Sequence, residues 1–280
     1  MCRLPGTDRC PGTMRHLTLI ELGRRDYADM VVAQDRLTAE RHAGDVDDLL
    51  LALEHPPTYT LGRRSEPSDL LHPADWYREQ GITICETPRG GKVTYHGPGQ
   101  LVIYPIINLK GVGEQPSGAD RVDVAGFVAA LEEAMAEALY TWGIPAGRIE
   151  GLTGIWVDDD RPTPAAFAGA DAAGSAPGLA SGAIRKIGSI GLKISRGVTS
   201  HGLSLNVSCD LDPFEWINSC GIETCQATSI ARETGSGTPS MAEVATEVAN
   251  RIASALGQDL RPGSPIQAGL ERRGRANSVA

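Results

Sequence analysis

Six cysteines stand in this chain of 280 residues, and the chemistry open to them is nucleophilic. A thiolate attacks thioesters readily, and the thioester it forms remains activated toward an amine. Context thins the candidates. Cys2 and Cys10 fall in an opening stretch rich in Gly and Pro, and Cys85 sits in the apolar pattern of a strand, so these three read as structural or incidental. Cys209 ends a strand-like segment and Cys225 lies further on; Cys220 stands between them in WINSCGIE, where Gly221 lets the backbone turn sharply and expose the sulfur. Such a thiol needs a base or cation close by. Lys186 opens an apolar run just after a flexible stretch, where partial burial would depress its amine pKa toward neutrality.

A second concentration of chemistry is the loop Arg89-Gly90-Gly91-Lys92-Val93-Thr94-Tyr95-His96-Gly97-Pro98-Gly99-Gln100. Its glycines permit a ligand to approach the backbone, whose N–H groups can serve an anion or an oxyanion. The spacing is neither that of a phosphate-binding GxxxxGK[ST] loop nor that of a GxGxxG dinucleotide fingerprint. His96-Gly97 here and His201-Gly202 downstream could frame one site from two sides. The cysteines show no paired CxxC and no small-domain spacing, so neither a zinc site nor a disulfide framework is expected.

These groups must be positioned by strands and helices. LTLIEL (17–22), LLLALEHP (49–56, stopped by Pro56 and Pro57), residues 82–86, LVIYPIIN (101–108) and TGIWV (153–157) read as strands. Residues 186–208 alternate like an antiparallel pair. Helical spacing runs from Asp26 to about His42, from Asp123 to Trp142, and over 240–256. The Ala, Gly, Pro and Asp of 158–182 predict a flexible surface insertion, and residues 1–13 and 257–280 are expected to be disordered tails around a catalytic domain at 14–256. Strands interspersed with a few long helices, without regular alternation, predict a single α/β (α+β mixed) domain built on a mixed sheet.

An apolar fraction of 41% suffices for a buried core. With 35 acidic against 26 basic side chains the formal charge is −9, which disfavours nucleic acid and anionic membrane as partners. An acidic protein partner would have to meet a local basic patch, for which Arg63, Arg64, Arg185, Lys186, Lys193 and Arg196 are candidates. No run approaches the ~20 apolar residues of a membrane span and the first residues lack a signal-peptide pattern, so the expectation is a soluble, cytoplasmic protein.

Four segments in order, HPPTYTLGR (55–63), RGGKVTYHGPGQLVIYPI (89–106), KIGSIGLKISRGVTSHGLSLNV (186–207) and NSCGI (218–222), resemble the lipoyl (octanoyl) transferases of the lipoate and biotin protein ligase fold group. The resemblance covers roughly residues 15–256. It implies a catalytic pair of Cys220 and Lys186, with substrate lying along Arg89, Gly90, Gly91, Lys92, Val93, Thr94, Tyr95 and His96, along Ser189, Ile190 and Gly191, and along Gly202, Leu203 and Ser204; His201 would support them. It further implies transfer of octanoyl from the phosphopantetheine thioester of acyl carrier protein to a lysine of a lipoyl domain, such as those of 2-oxoacid dehydrogenases or the glycine cleavage H protein. By that resemblance the enzyme is a monomer and needs no metal or cofactor of its own. An ATP-dependent lipoate or biotin ligase, an amidotransferase moving octanoyl or lipoyl between protein domains, and an inactive acyl-binding module are the competing readings. Dependence on ATP, acceptance of the carrier protein as donor, and formation of an acyl-enzyme separate them.

Overall fold

In the computed structural model, residues 15–110, 122–149, 151–158, 184–218 and 226–271 are described. The expected tail at 1–13, the insertion beyond Asp158, and Cys220 and Cys225 lie outside them.

The chain opens with strand β1 (His16–Arg24) and helix α1 (Tyr27–Ala43). Asp26 caps α1 by accepting from the Ala28 N–H, and Gly44, at φ 85°, ends it in the left-handed conformation. The fully apolar run Leu49–Leu53 lies within β2 (Asp48–Glu54), buried on both faces as a central strand requires. There follow β3 (Thr58–Leu61), the short helix α2 (Ala74–Glu79), β4 (Thr83–Glu86), β5 (Val93–His96) and β6 (Gln100–Ile106). Helix α3 (Val124–Thr141) leads to β7 (Ala146–Ile149) and β8 (Leu152–Asp158). Strands β9 (Ile184–Ser195) and β10 (Val198–Asn206) form a hairpin whose two turn residues, Arg196 and Gly197, both have positive φ, as a tight primed turn demands. The rest is α4 (Asp212–Glu215), β11 (Gln226–Ala227), α5 (Ile230–Thr234), α6 (Met241–Ala255) and β12 (Asp259–Pro262).

Among the described residues nine strands make one mixed sheet in the order β12-β1-β2-β6-β10-β9-β8-β7, with β11 added in parallel to the start of β9. Helices α3 and α6 cover one face, where Leu101, Ile103, Leu203 and Leu205 meet Leu131, Met135 and Val248. Helix α1 covers part of the other, against Val102, Tyr104 and Ile106. A second sheet, β4-β3-β5, packs its tyrosines with Trp76, Phe214 and Trp216. The α/β expectation with a mixed sheet therefore holds.

Two local expectations fail. The glycine-rich segment is not loop throughout, because Val93–His96 pairs antiparallel with β3. The expected tail begins with ordered structure: Asp259–Pro262 pairs in parallel with His16–Leu19, and the chain is described as far as Glu271. The physical reason is Asp48, a buried carboxylate at the head of β2. It accepts from Arg15 and Arg41 at 2.7 Å each, and from the Asn108 N–H and Gln258 Nε2 at 2.9 Å each. Gln258 thus ties the segment after α6 to the sheet, a long-range contact that local composition does not reveal.

Candidate active site

One cavity of about 610 Å³ lies between the β9–β10 hairpin and the segment Arg89–His96 that crosses it. The crossing is set by main-chain bonds. Gly90 N–H donates to the Leu192 carbonyl of β9, while Arg63 and Arg64 N–H donate to the carbonyls of Arg89 and Gly91. Close approach requires glycine at Gly62, where a Cβ would stand 2.4 Å from the Gly91 oxygen, and is tight at Gly191, where a Cβ would stand 3.1 Å from Arg89 Cδ. Underneath, Gly202 pairs with Gly191, and Ser204 with Ser189. A Cβ on Gly202 would fall 2.0 Å from the Ile103 oxygen, so this position excludes every other residue without a backbone shift.

Lys186 enters from β9, half-buried on the cavity wall, with its Nζ 4.9 Å from the centroid of the buried Trp156 ring on β8. Gly154 makes room for it, since a Cβ there would come within 2.7 Å of Lys186 Cε. That glycine is held in place by its N–H donating to Glu132 Oε1 of α3 at 2.9 Å, while Glu132 Oε2 takes Arg148 Nε at 2.8 Å. The carbonyl of Lys186 accepts from the Thr228 N–H, and Ala227 pairs with Lys186 in register. The lysine is therefore fixed at its main chain as well as stacked at its side chain.

The other wall is polar and buried. Arg89, 6% exposed, donates to both oxygens of Thr60 and to the Gly90 carbonyl, and its burial lowers its pKa to about 10. His96 hydrogen-bonds through Nδ1 to Gln100 Oε1 at 2.7 Å. Gln100 Nε2 donates to the Tyr95 carbonyl and to Asn206 Oδ1, so Oε1 is the acceptor and the His96 proton is assigned to Nδ1. Asn206 Nδ2 in turn donates to the Thr228 carbonyl. Burial first, then the neighbouring His55 ring and, less, the Arg89 guanidinium drive the His96 pKa down to about 3. His201 is held at about 4 by burial first and then by Arg89 and Lys193. Both imidazoles are neutral near pH 7. His201 also has φ 54°, unusual for a side-chain-bearing residue, and its N–H donates to Gln34 Oε1 of α1 at 2.6 Å. His55 donates through Nδ1 to the Arg25 carbonyl and accepts from the Tyr104 hydroxyl, both at 2.7 Å.

Of the residues expected from the sequence, Lys186, Arg89, Gly90, Gly91, Lys92, Val93, Thr94, His96, Ser189, Ile190, Gly191, His201, Gly202, Leu203 and Ser204 all line this cavity. Tyr95 does not. Alternation along β5 turns its ring away from Thr94 and His96 and into the small aromatic cluster, 5.5 Å from Tyr59 and 5.4 Å from Phe214. Cys220 lies outside the described residues, but the chain before it is anchored: Ile217 bridges Leu70, and Asn218 N–H donates to the carbonyl of the fully buried Asp69. The described cysteines, Cys85 and Cys209, have thiols pushed up by burial, that of Cys209 to about 12, which disfavours either as a nucleophile. Sequence reading missed Tyr27, Tyr104 and Trp156 on the cavity wall. The basic candidates Arg185 and Lys193 are drawn to acids, Arg185 to Glu233 at 2.9 Å and Lys193 to Asp35 at 4.0 Å.

Comparison with known proteins fits this geometry. The family described as lipoyl protein ligase A/B catalytic domain matches residues 26–253. The octanoyltransferase of Chloroflexus aggregans is 40% identical over 250 residues, covering 89% of this chain and 98% of its own. That of Solibacter usitatus is 43% identical over 218 residues, covering 78% and 84%. Among solved structures, a putative lipoate protein ligase from T. acidophilum with bound lipoic acid superposes with a TM-score of 0.60 at 17% identity, covering 90% of each chain. Lipoate-protein ligase A bound with ATP gives 0.61 at 17%, covering 90% and 89%; at such identity these two speak to the fold alone. The chain belongs to the lipoyl protein ligase A/B catalytic-domain family. Within that family it stands with the octanoyltransferases, and it is an acyltransferase.

Proposed function

We propose that the chain takes octanoyl from the phosphopantetheine thioester of acyl carrier protein onto Cys220 and passes it to a lysine of a lipoyl domain, in the cytoplasm, as a step of protein lipoylation. The observation that carries this reading is Lys186 on the wall of a cavity whose other wall is the Arg89–His96 crossing. Lys186 accepts the Cys220 thiol proton; the sulfur attacks the thioester carbonyl, and the carrier's thiolate leaves, taking the proton from Lys186. Main-chain donors along the crossing stabilise the oxyanion. In the second half the acceptor amine attacks the acyl-enzyme, the C–S bond breaks, and Lys186 receives the amine proton and returns it to the Cys220 sulfur. The thioester already carries the activation, so the reaction uses neither ATP nor metal.

Intact-protein mass spectrometry tests this directly. Mixing the chain with octanoyl acyl carrier protein should add one octanoyl mass, labile to hydroxylamine and located at Cys220 after digestion, and a chase with apo lipoyl domain should move it to the acceptor lysine. Absence of the adduct with no transfer unless ATP is added would overturn the reading. An adduct on a different cysteine would keep the reaction and refute the residue.

A further inference from the structure

The cations around the cavity differ in what occupies them. Arg89 is directed inward and spent on Thr60 and the Gly90 carbonyl. Lys92 donates to Asp69 Oδ1 at 3.0 Å, a carboxylate whose side chain is 1% exposed. Lys186 lies over Trp156. Arg64 alone of the described cavity-lining cations has a guanidinium with no hydrogen bond or ion pair, and it is exposed at the cavity rim. Its backbone is the opposite of free, since its N–H donates at 3.1 Å to the carbonyl of Gly91, in the crossing that walls the cavity. A rigidly placed main chain thus presents an unengaged, planar cation at the entrance of a site in a chain with formal charge −9. Guanidinium matches phosphate in geometry and is the side chain best suited to bidentate phosphate recognition.

We propose that Arg64 binds the phosphodiester of the donor's phosphopantetheine arm as the arm enters the cavity. The inference rests on the proposed donor and goes beyond it by assigning the group that holds the arm. The phosphodiester is favoured over acidic side chains on the carrier's surface because Arg64 stands at the entrance of the cavity that holds Lys186, which the arm must cross to bring its thioester inside. The role is one of binding and orientation and involves no covalent step.

The test compares three donors on the full chain: octanoyl pantetheine, which lacks the phosphate, octanoyl phosphopantetheine, and octanoyl acyl carrier protein. Rates of acyl-enzyme formation are followed by mass spectrometry. Arg64→Ala should lower kcat/KM about tenfold or more for both phosphate-bearing donors, mainly through KM, and leave octanoyl pantetheine unchanged. Arg64→Lys should recover part of the loss. Arg78→Ala, which removes the same charge from α2 at a side chain 76% exposed, should leave all three donors unchanged. Thermal unfolding verifies that the variants fold, as expected because the crossing is held by the Arg64 main chain. An equal loss on octanoyl pantetheine, or no loss on any donor, overturns the proposal. A loss confined to the carrier-bound donor overturns it in favour of contact with the carrier's acidic surface. If the unsubstituted chain is acylated by none of the three, the reading of the reaction fails as well, an outcome distinct from the others.

Discussion

The two faces of the large sheet use the same strands for different ends. On β10, Leu203 and Leu205 pack with α3 and α6 in a cluster built almost wholly of Leu, Ile, Val, Ala and Met, with Leu203 also reaching the cavity wall. One residue out of phase, Gly202, Ser204 and Asn206 face the opposite way, toward glycine contacts, neutral histidines and a chain of amide hydrogen bonds. The α3–α6 face holds the buried carboxylate of Glu132, satisfied by the Gly154 N–H and Arg148, and is otherwise close-packed; the opposite face holds buried Arg89 and His96 in hydrogen bonds and leaves His201 Nδ1 without a partner among the described residues. A period of two residues lets one strand serve both. The contrast teaches that activity and stability should respond to different substitutions only a few ångströms apart.

The largest separation is expected at Lys186. On the proposed mechanism Lys186→Ala slows acyl-enzyme formation by about 10²–10⁴-fold, measured by mass spectrometry, with little change in the unfolding midpoint. Normal turnover would remove the lysine from its role. The opposite signature belongs to Leu205→Ala on the apolar face. Leu205 is fully buried, and its truncation should cost about 2–5 kcal/mol in urea unfolding, while activity per folded molecule stays near that of the parent.

A smaller effect distinguishes the faces by pH. Burial holds His201 at about 4, below the ordinary 6.5, so between those values the unfolded chain binds a proton that the folded chain does not. Its contribution is complete above about pH 6.5 and declines as pH falls toward 4, with a limiting slope of about 1.4 kcal/mol per pH unit. His201→Asn, chosen because Asn tolerates positive φ, should flatten the fall in unfolding free energy between pH 6.5 and 4. An unaltered slope would mean that this imidazole is not buried neutral. The smallest expected change is on the exposed side of the apolar layer: Ser240→Ala breaks the capping box of α6 with Glu243 and should cost about 1 kcal/mol in the same assay, without pH dependence near neutrality.

Much of this division was legible in the residues. The spacing of Phe127, Leu131 and Leu139 announced α3, His96 and His201 both line the cavity as their His-Gly pairs suggested, and residues of the Arg89–His96 and Ser189–Ser204 segments meet there as the family resemblance implied. What escaped depends on contacts distant in sequence. His55 reads as the end of a strand before two prolines, yet it holds the hydroxyl of the cavity-lining Tyr104, a contact that the pairing of β2 with β6 makes possible. Tyr95 was placed on the cavity by its motif, but strand alternation decides its direction, and the strand itself was hidden in a segment read as loop. β12 is short and polar, so no local pattern marks it; its partner β1 lies at the far end of the chain.

That last strand has a consequence for the behaviour of the protein at high concentration. Among the described residues the path of the large sheet ends at β12 on one side and β7 on the other, each four residues long, the first carrying Arg261 and Pro262 and the second Arg148. Short, charged or proline-bearing edges are poor templates for strand addition from a neighbouring molecule. Removal of the segment after α6 would uncover the nine-residue β1, HLTLIELGR, and turn a guarded border into a sticky one. The polar ending that looked dispensable thus covers the long edge of β1, the border where another copy of this sheet would otherwise add a strand.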